Sequence, residues 1–445
     1  MTAAAARAIR TGAPLGAWLA LAVLVLLYLL NTLDRGVLAL VVDPVKADLA
    51  ISDFQMSMLL GLAFALFYAL CGLPIGWLVD RFPRRIILYL GVTFWSIATI
   101  ACGMAQSFPQ LLLARMALGV GEATLGPCAH SIIADKFPKH QMATALSIYT
   151  AGAVLGTGAS MAVGGLAVAY FTQRPDLSFP FFGDLRPWQM VFVAIGLPGL
   201  ILATLVFTFR EPQRLHQREE VPTRLLPFLR ERRAVLLGYA GSFALFSMLI
   251  YGALAWLPAY MERAFGWGPA EVGPALGLVN VLSAGIGTIG AGWLVDRLIA
   301  RGHSDAHLQV FSASVLLATP VGIGAFLVDD PRVFLVCVFL LKMMAFSYIG
   351  YGAAAVQAVT PSALRGRMAA IYLLSLAIIG NAGGPSLIAF FTDFVFGDPA
   401  KLGWSIATAL ALLAPLALIS AQLGRAPMRL AVERLRGEEA SKADG

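Results

Sequence analysis

The chain has 445 residues, of which 59% are hydrophobic and only 13% charged, whereas soluble domains carry roughly 45–50% apolar and about 25% charged residues. That balance excludes an ordinary water-soluble fold, because the apolar residues gather in runs of about 20, the length that crosses roughly 30 Å of hydrocarbon. The formal charge of +7 does not indicate a nucleic-acid partner, since no basic domain stands apart from the apolar runs and the excess lies in loops.

In chain order the apolar runs predict twelve membrane helices, near residues 17–40, 54–79, 86–105, 109–133, 142–170 and 188–208, then 235–260, 270–295, 309–328, 332–359, 368–392 and 402–423. The first is read as a membrane helix rather than a cleaved leader, because it is long, contains Asp34 and Arg35, and precedes eleven more. Basic residues stay on the cytoplasmic side, and 23 of the 32 Lys and Arg residues fall in the N-terminus, alternate loops, the central polar stretch and the C-terminal tail. Both termini are therefore expected in the cytoplasm, with the basic loops touching anionic lipid heads. Cys71, Cys102, Cys128 and Cys337 lie inside apolar runs without metal-ligand spacing, so they read as packing residues.

Residues 210–234 form the longest polar stretch and divide the runs six and six, which predicts halves at 1–209 and 235–423, a cytoplasmic linker between them and a tail at 424–445. GWLVDR occurs at Gly76–Arg81 after the second run and again at Gly292–Arg297 after the eighth. A duplicated six-helix unit is a common plan of secondary carriers, whose substrate site lies mid-membrane.

Five ionisable residues fall within the predicted spans: Asp34, Arg35, Arg115, Glu122 and Lys342. Each costs several kcal/mol there unless paired or wetted, so such residues mark transport pathways. Arg115 and Glu122 are seven residues apart, on one helix face but about 10 Å apart along the axis, so each needs a partner from another helix. Asp34 and Arg35 of the first helix are the expected partners, and an Arg35–Glu122 contact lies within reach. Lys342 is the only deep charge of the second half. With it the net charge of the five is +1, which favours an anionic substrate group. The alternative for Lys342 is that its stem snorkels to an interface.

The chain's three Asn residues, Asn31, Asn280 and Asn381, all fall in predicted helices, where they serve as substrate contacts or as interhelical hydrogen bonds. None begins a glycosylation sequon, consistent with a bacterial inner membrane. Tyr251, Trp256 and Tyr260 either line a pocket or act as interfacial anchors. His130 is read as a packed neutral histidine. An integral membrane enzyme or ATP-driven pump is disfavoured, since the chain contains no G-x-x-x-x-G-K-[ST], no H-E-x-x-H and no ligand-spaced Cys or His. No cofactor or metal is expected.

GWLVDRFPRR at Gly76–Arg85 resembles the signature loop between helices two and three of the major facilitator superfamily, with Pro83 where that pattern expects Gly. The resemblance implies an all-α fold of twelve helices in two pseudo-symmetric halves. It also implies a conformational latch at Gly76, Asp80, Arg81, Arg84 and Arg85, echoed at Asp296 and Arg297, with Gly76 allowing close helix approach. RMALGVGEA at Arg115–Ala123 resembles the family's fourth-helix motif, in which the Arg is tied to proton coupling. NTLDRG of the first helix, with GVGEATLGPCAHSIIADKFP of the fourth, most resembles the Spinster branch, which moves lysophospholipids and sphingoid lipid phosphates. The organic anion and cation symporter branch also carries an Asp-Arg pair and a Gly-Glu at these places. The expectation is a monomeric, proton-coupled carrier of an amphiphilic anion, or alternatively of a small carboxylate. Asp34, Glu122, Arg35 and Arg115 would couple protons, and Arg35, Glu122, Lys342, Asn31, Asn280, Asn381 and Tyr251 would meet substrate. The fifth helix lacks the Gly-Pro pair of the antiporter motif.

Overall fold

A computed structural model describes residues 13–174, 183–212, 225–231, 233–360 and 364–443. Twelve long helices are formed where the apolar runs predict them. They are α1 (Leu15–Val37), α2 (Asp53–Ser57, a π-helical Met58–Leu62 and Ala63–Arg81), α3 (Arg84–Met104), α4 (Phe108–Glu122 and Leu125–Lys136), α5 (Lys139–Thr172) and α6 (Pro187–Ala203) in the first half. The second half supplies α7 (Arg233–Phe265), α8 (Pro269–Ala300), α9 (Ala306–Ala325), α10 (Pro331–Ala345 and Ser347–Ala358), α11 (Arg365–Ser375, Leu376–Ala382, Gly383–Phe390 and Phe391–Phe396) and α12 (Leu402–Ala443). No β-strand occurs among the described residues. Residues 213–224 and 232 of the predicted linker lie outside the described residues, whereas Leu225–Glu231 is a short helix. The stretch read as a tail is helical through Ala443, because Met428, Ala431 and Val432 are buried and prolong the apolar face of α12.

The helix starts follow local chemistry. Ser52 and Gln55 form a reciprocal capping box ahead of α2. Asp330 accepts the Arg332 and Val333 amides at 2.7 and 3.3 Å, ahead of Pro331 in the first turn of α10.

The residues form two compact units, Met1–Ala50 with Leu66–Arg218 and Gly268–Gly277, and Ile51–Ala65 with Glu219–Trp267 and Leu278–Gly445. Inside the first, α1 packs along α5, and α3 against α6 and α4. Inside the second, α7 packs along α11 and α12, and α9 against α12 and α10. The pairs 1–5, 3–6 and 3–4 thus recur as 7–11, 9–12 and 9–10, the packing of a duplicated unit. Large apolar side chains such as Leu90, Ile289, Leu316 and Leu423 remain exposed, as lipid-facing positions require.

Among the described residues ten of the helices contain an uninterrupted helical stretch long and apolar enough to cross a bilayer; the others are α4 and α10. Their break has the same form. Each has a first segment of 15 residues with a proline in its first turn and a second segment of 12. At the break Thr124 donates its hydroxyl to the Gly121 carbonyl at 2.8 Å, and Ser347 donates to Met344 at 2.6 Å. Hydroxyls that bond back to the preceding turn bend helices in this way.

The repeated hexapeptides also adopt one arrangement. Val79 and Val295 are buried, Trp77 and Trp293 exposed, and Arg81 and Arg297 lie over the Trp rings at 4.1 and 5.1 Å.

Candidate functional site

Four of the five deep charges converge inside the first unit. Asn31, Asp34, Arg115 and Glu122 are each at most 2% exposed. Arg35 Nε donates to Glu122 Oε2 at 2.5 Å, the carboxylate wholly enclosed and the guanidinium side chain 35% exposed. The Arg35 guanidinium also lies over the Tyr68 ring at 5.1 Å. Asp34 has Glu122, Arg115, Thr99 and Arg35 as its neighbours, and its Oδ1 has no hydrogen-bond partner. Arg115 faces Cys102, Glu122 and Asp34. Two acids and two bases therefore share one enclosed cluster, in which each carboxylate faces a cation from the other helix.

Helix geometry explains the convergence. Asn31 and Asp34 lie on one face of α1, with Arg35 one position further round. Glu122 is the last residue before the break in α4. α5 closes on α1 through small residues: a Cβ built on Gly156 would lie 2.1 Å from Thr32 Oγ1.

The sequence reading missed the aromatic wall of this cluster. Tyr28 stacks on Tyr149 at 4.8 Å, His130 packs edge-on to Tyr149 at 5.6 Å, and Tyr28 and Tyr68 both act on Arg35. The available signal was helical spacing, since Tyr28, Asn31 and Arg35 occupy positions i, i+3 and i+7 of α1.

In the second unit Lys342 is 3% exposed, and its ammonium donates to Asn280 Oδ1. The snorkelling alternative is overturned by this burial. Tyr251 and Asn381 are partly exposed. Trp256 and Tyr260 are not interfacial anchors. Trp256 is fully buried and donates to the Pro385 carbonyl at 3.1 Å, and Tyr260 packs on Phe326 and Phe334.

A second ionic contact escaped the sequence reading because both members sit at helix ends. Asp53, with a fully buried side chain, receives two hydrogen bonds of 2.9 Å from Arg263, joining the first turn of α2 to the last of α7. Beside it Asp393 of α11 accepts the Phe54 amide at 2.6 Å, and Ser57 donates to Ser386 at 3.2 Å. The start of α2 is thus held by helices of the other sequence half.

Of the residues expected in a latch, Arg84 is ion-paired and Arg85 is held through its backbone amide and by its guanidinium on the Phe209 carbonyl. Buried Arg84 bonds Glu211 at 2.8 Å, Asp135, and the Pro212 carbonyl at 2.6 Å, while the Arg85 amide reaches Glu211 at 3.0 Å. Asp80, Arg81, Asp296 and Arg297 are exposed. A Cβ on Gly76 would meet no atom within 4 Å, so the close approach expected there is absent in this structure.

The family model described as Major Facilitator Superfamily matches residues 24–385. The chain belongs to that superfamily. It is a family of transporters and not an enzyme class. An "MFS-type efflux pump" of Mycolicibacterium smegmatis is 27% identical over 396 residues, covering 86% of each chain. A "D-galactonate transporter" of Escherichia coli is 26% identical over 420 residues, covering 87% of this chain and 90% of that one. Among solved structures, a bacterial homologue of the human lysosomal transporter Spinster, in an inward-facing and unoccupied conformation, matches with a TM-score of 0.78 at 26% identity, covering 94% of this chain and 97% of that one. This superfamily member is therefore a multi-pass, Spinster-like membrane transporter.

Proposed function

We propose that the chain is a proton-coupled secondary carrier of an organic anion, working by alternating access between its two six-helix halves. The observation that carries this reading is the Arg35–Glu122 pair, which joins an enclosed carboxylate to a cation that keeps a third of its surface accessible. A substrate anion that competes for Arg35 strips Glu122 of its counter-ion. A buried carboxylate without a cation takes up a proton. Asp34, Glu122, Arg35 and Arg115 form the coupling group, Asn31 orients Glu122, and Tyr251 and Asn381 serve as substrate contacts. Arg84 and Arg85, with Asp80, Arg81, Asp296 and Arg297, act as a conformational latch. The Asp53–Arg263 tie is a second contact that breaks and re-forms during transport. Both termini face the cytoplasm of a bacterial inner-membrane monomer.

The substrate we infer is an amphiphilic anion of the lysophospholipid or sphingoid-phosphate kind, supported by the Spinster-like structure. A small sugar-acid carboxylate is the second reading, favoured by the long match to the D-galactonate transporter. The test is counterflow and pH-jump uptake in proteoliposomes. Glu122→Gln is expected to insert and fold normally while losing the pH dependence of flux. An unchanged pH profile in that variant rejects the coupling role.

A further inference from the structure

Lys342 is an enclosed cation with no acid beside it among the described residues. Its hydrogen-bond partner is the neutral Asn280, and among the described residues no charged group is close enough to act on it. Ile250, Leu254 and Leu257 of α7, with Val338, Leu341 and Lys342 itself of α10, line a small apolar cleft.

Burying a charge without a counter-ion is expensive, and such a residue is retained where it is used. The lysine does not reach water at an interface, and its ammonium spends one of three donors on Asn280, leaving two for an incoming group. Its place adds to the argument. Lys342 lies in the last turn before the α10 break, where the helix end favours a cation, and its carbonyl accepts the amide of Phe346, the residue at the break itself.

We propose that Lys342 and Asn280 form an anion-binding subsite between α7, α8 and α10. It takes a carboxylate or phosphate oxygen on the free ammonium donors, while Asn280 holds the lysine at the cleft. The anion supplies the missing counter-charge, so the subsite selects for charge, and the apolar walls reject a neutral polar group that cannot repay its own desolvation. The subsite rests on the carrier reading for its biological use but not for its existence, because it makes a binding prediction independent of flux.

The experiment is thermal unfolding of the purified full chain in detergent, titrated with D-galactonate and with lysophosphatidate, each against its uncharged counterpart, galactose and a monoacylglycerol. At least one anion is expected to raise the melting temperature, and neither neutral compound is. Stabilisation by the sugar acid alone identifies a small carboxylate as the source of the anion, and stabilisation by the lysolipid alone identifies a headgroup phosphate. Lys342→Met should weaken binding of that anion roughly tenfold or more, while the unliganded protein melts at the same temperature or higher. Lys342→Arg should keep most of the affinity. Asn280→Leu provides a second variant, with weakened anion binding and the lysine intact. Failure of both anions to stabilise the wild type overturns the subsite, as does equal affinity in Lys342→Met, or a lower melting temperature in that variant with affinity unchanged. A wild type that an anion stabilises but whose flux ignores pH rejects the coupling mechanism and keeps the subsite, whereas a wild type that neither anion stabilises rejects the subsite, so the two failures give different results.

Discussion

α4 and α10 are built alike and charged differently. Both break after 15 residues, and in both a hydroxyl bonds back across the break. The packing around the break is also duplicated. α3 brings Gly91 against Thr124, where an added Cβ would stand 1.9 Å from its hydroxyl oxygen, and α9 brings Ser314 within 3.3 Å of Ser347. Yet α4 carries Arg115 and Glu122 into a cluster that compensates its own charge, whereas α10 carries Lys342 to a neutral asparagine. The duplicated backbone is a scaffold for bending, and the charge chemistry on it has diverged between halves. The third helices repeat the lesson. In the first half a base, Arg84, begins α3 and binds the acid Glu211 beyond α6. In the second an acid, Asp305, precedes α9 and binds the base Arg425 of α12 at 2.7 Å. The same places are tied with the signs exchanged.

Removing the cation from each broken helix is the strongest way to break the comparison. Arg115→Met leaves two enclosed acids with one base and should destabilise by about 3–5 kcal/mol, read as thermal unfolding in detergent, with Asp34→Asn restoring part of the loss in the double variant. Lys342→Met should show no such loss, and equal destabilisation of the two would erase the distinction between a compensated and an open charge. A smaller effect is expected at the ends of the third helices. Arg84→Met removes charge-assisted hydrogen bonds worth about 1.5–3 kcal/mol, moderated because Glu211 is 31% exposed. Thr124→Ala and Ser347→Ala should each change stability by only about 0.5–1.5 kcal/mol, and by similar amounts. A large difference between them would mean that the two breaks do not have the same origin.

The smallest effect is a pH dependence at Asp305. Burial opposes its ionisation, but hydrogen bonds from Arg425 and Gln309 prevail and hold its carboxyl below the ordinary value. A carboxylate lowered in the folded state contributes stability above the unfolded value near ~3.9 and loses it as pH falls through the folded one. The difference in melting temperature between wild type and Asp305→Asn should therefore be constant from neutral pH down to about 4 and shrink below it. Arg425 is 31% exposed, so solvent screening keeps the difference small.

Much of this was legible in the chain. The twelve runs mark the twelve helices, and GWLVDR marks two equivalent helix ends, because run length and repetition are local properties. The five deep charges were identifiable for the same reason, whereas helix rise set Arg35 level with Arg115, and only the length of the Arg side chain kept Glu122 within its reach. Asp53 and Arg263 were read only as loop residues, since nothing in either segment announces that α2 begins beside the end of α7. The breaks in α4 and α10 were also invisible. Glycine and threonine occur inside many unbroken membrane helices, and a hydroxyl bends a helix only where a neighbouring helix leaves the space.

By itself the sequence determined which runs are long enough to cross a bilayer and which side chains are too costly to bury without use, because hydrophobic length and desolvation depend on composition within a single helix. The tertiary structure decided which charge answers which. It paired Glu122 with Arg35 and Asp53 with Arg263, and it set Lys342 against the neutral Asn280. Partnership between charges depends on distances of a few ångströms between helices far apart in the chain, and only packing sets those distances.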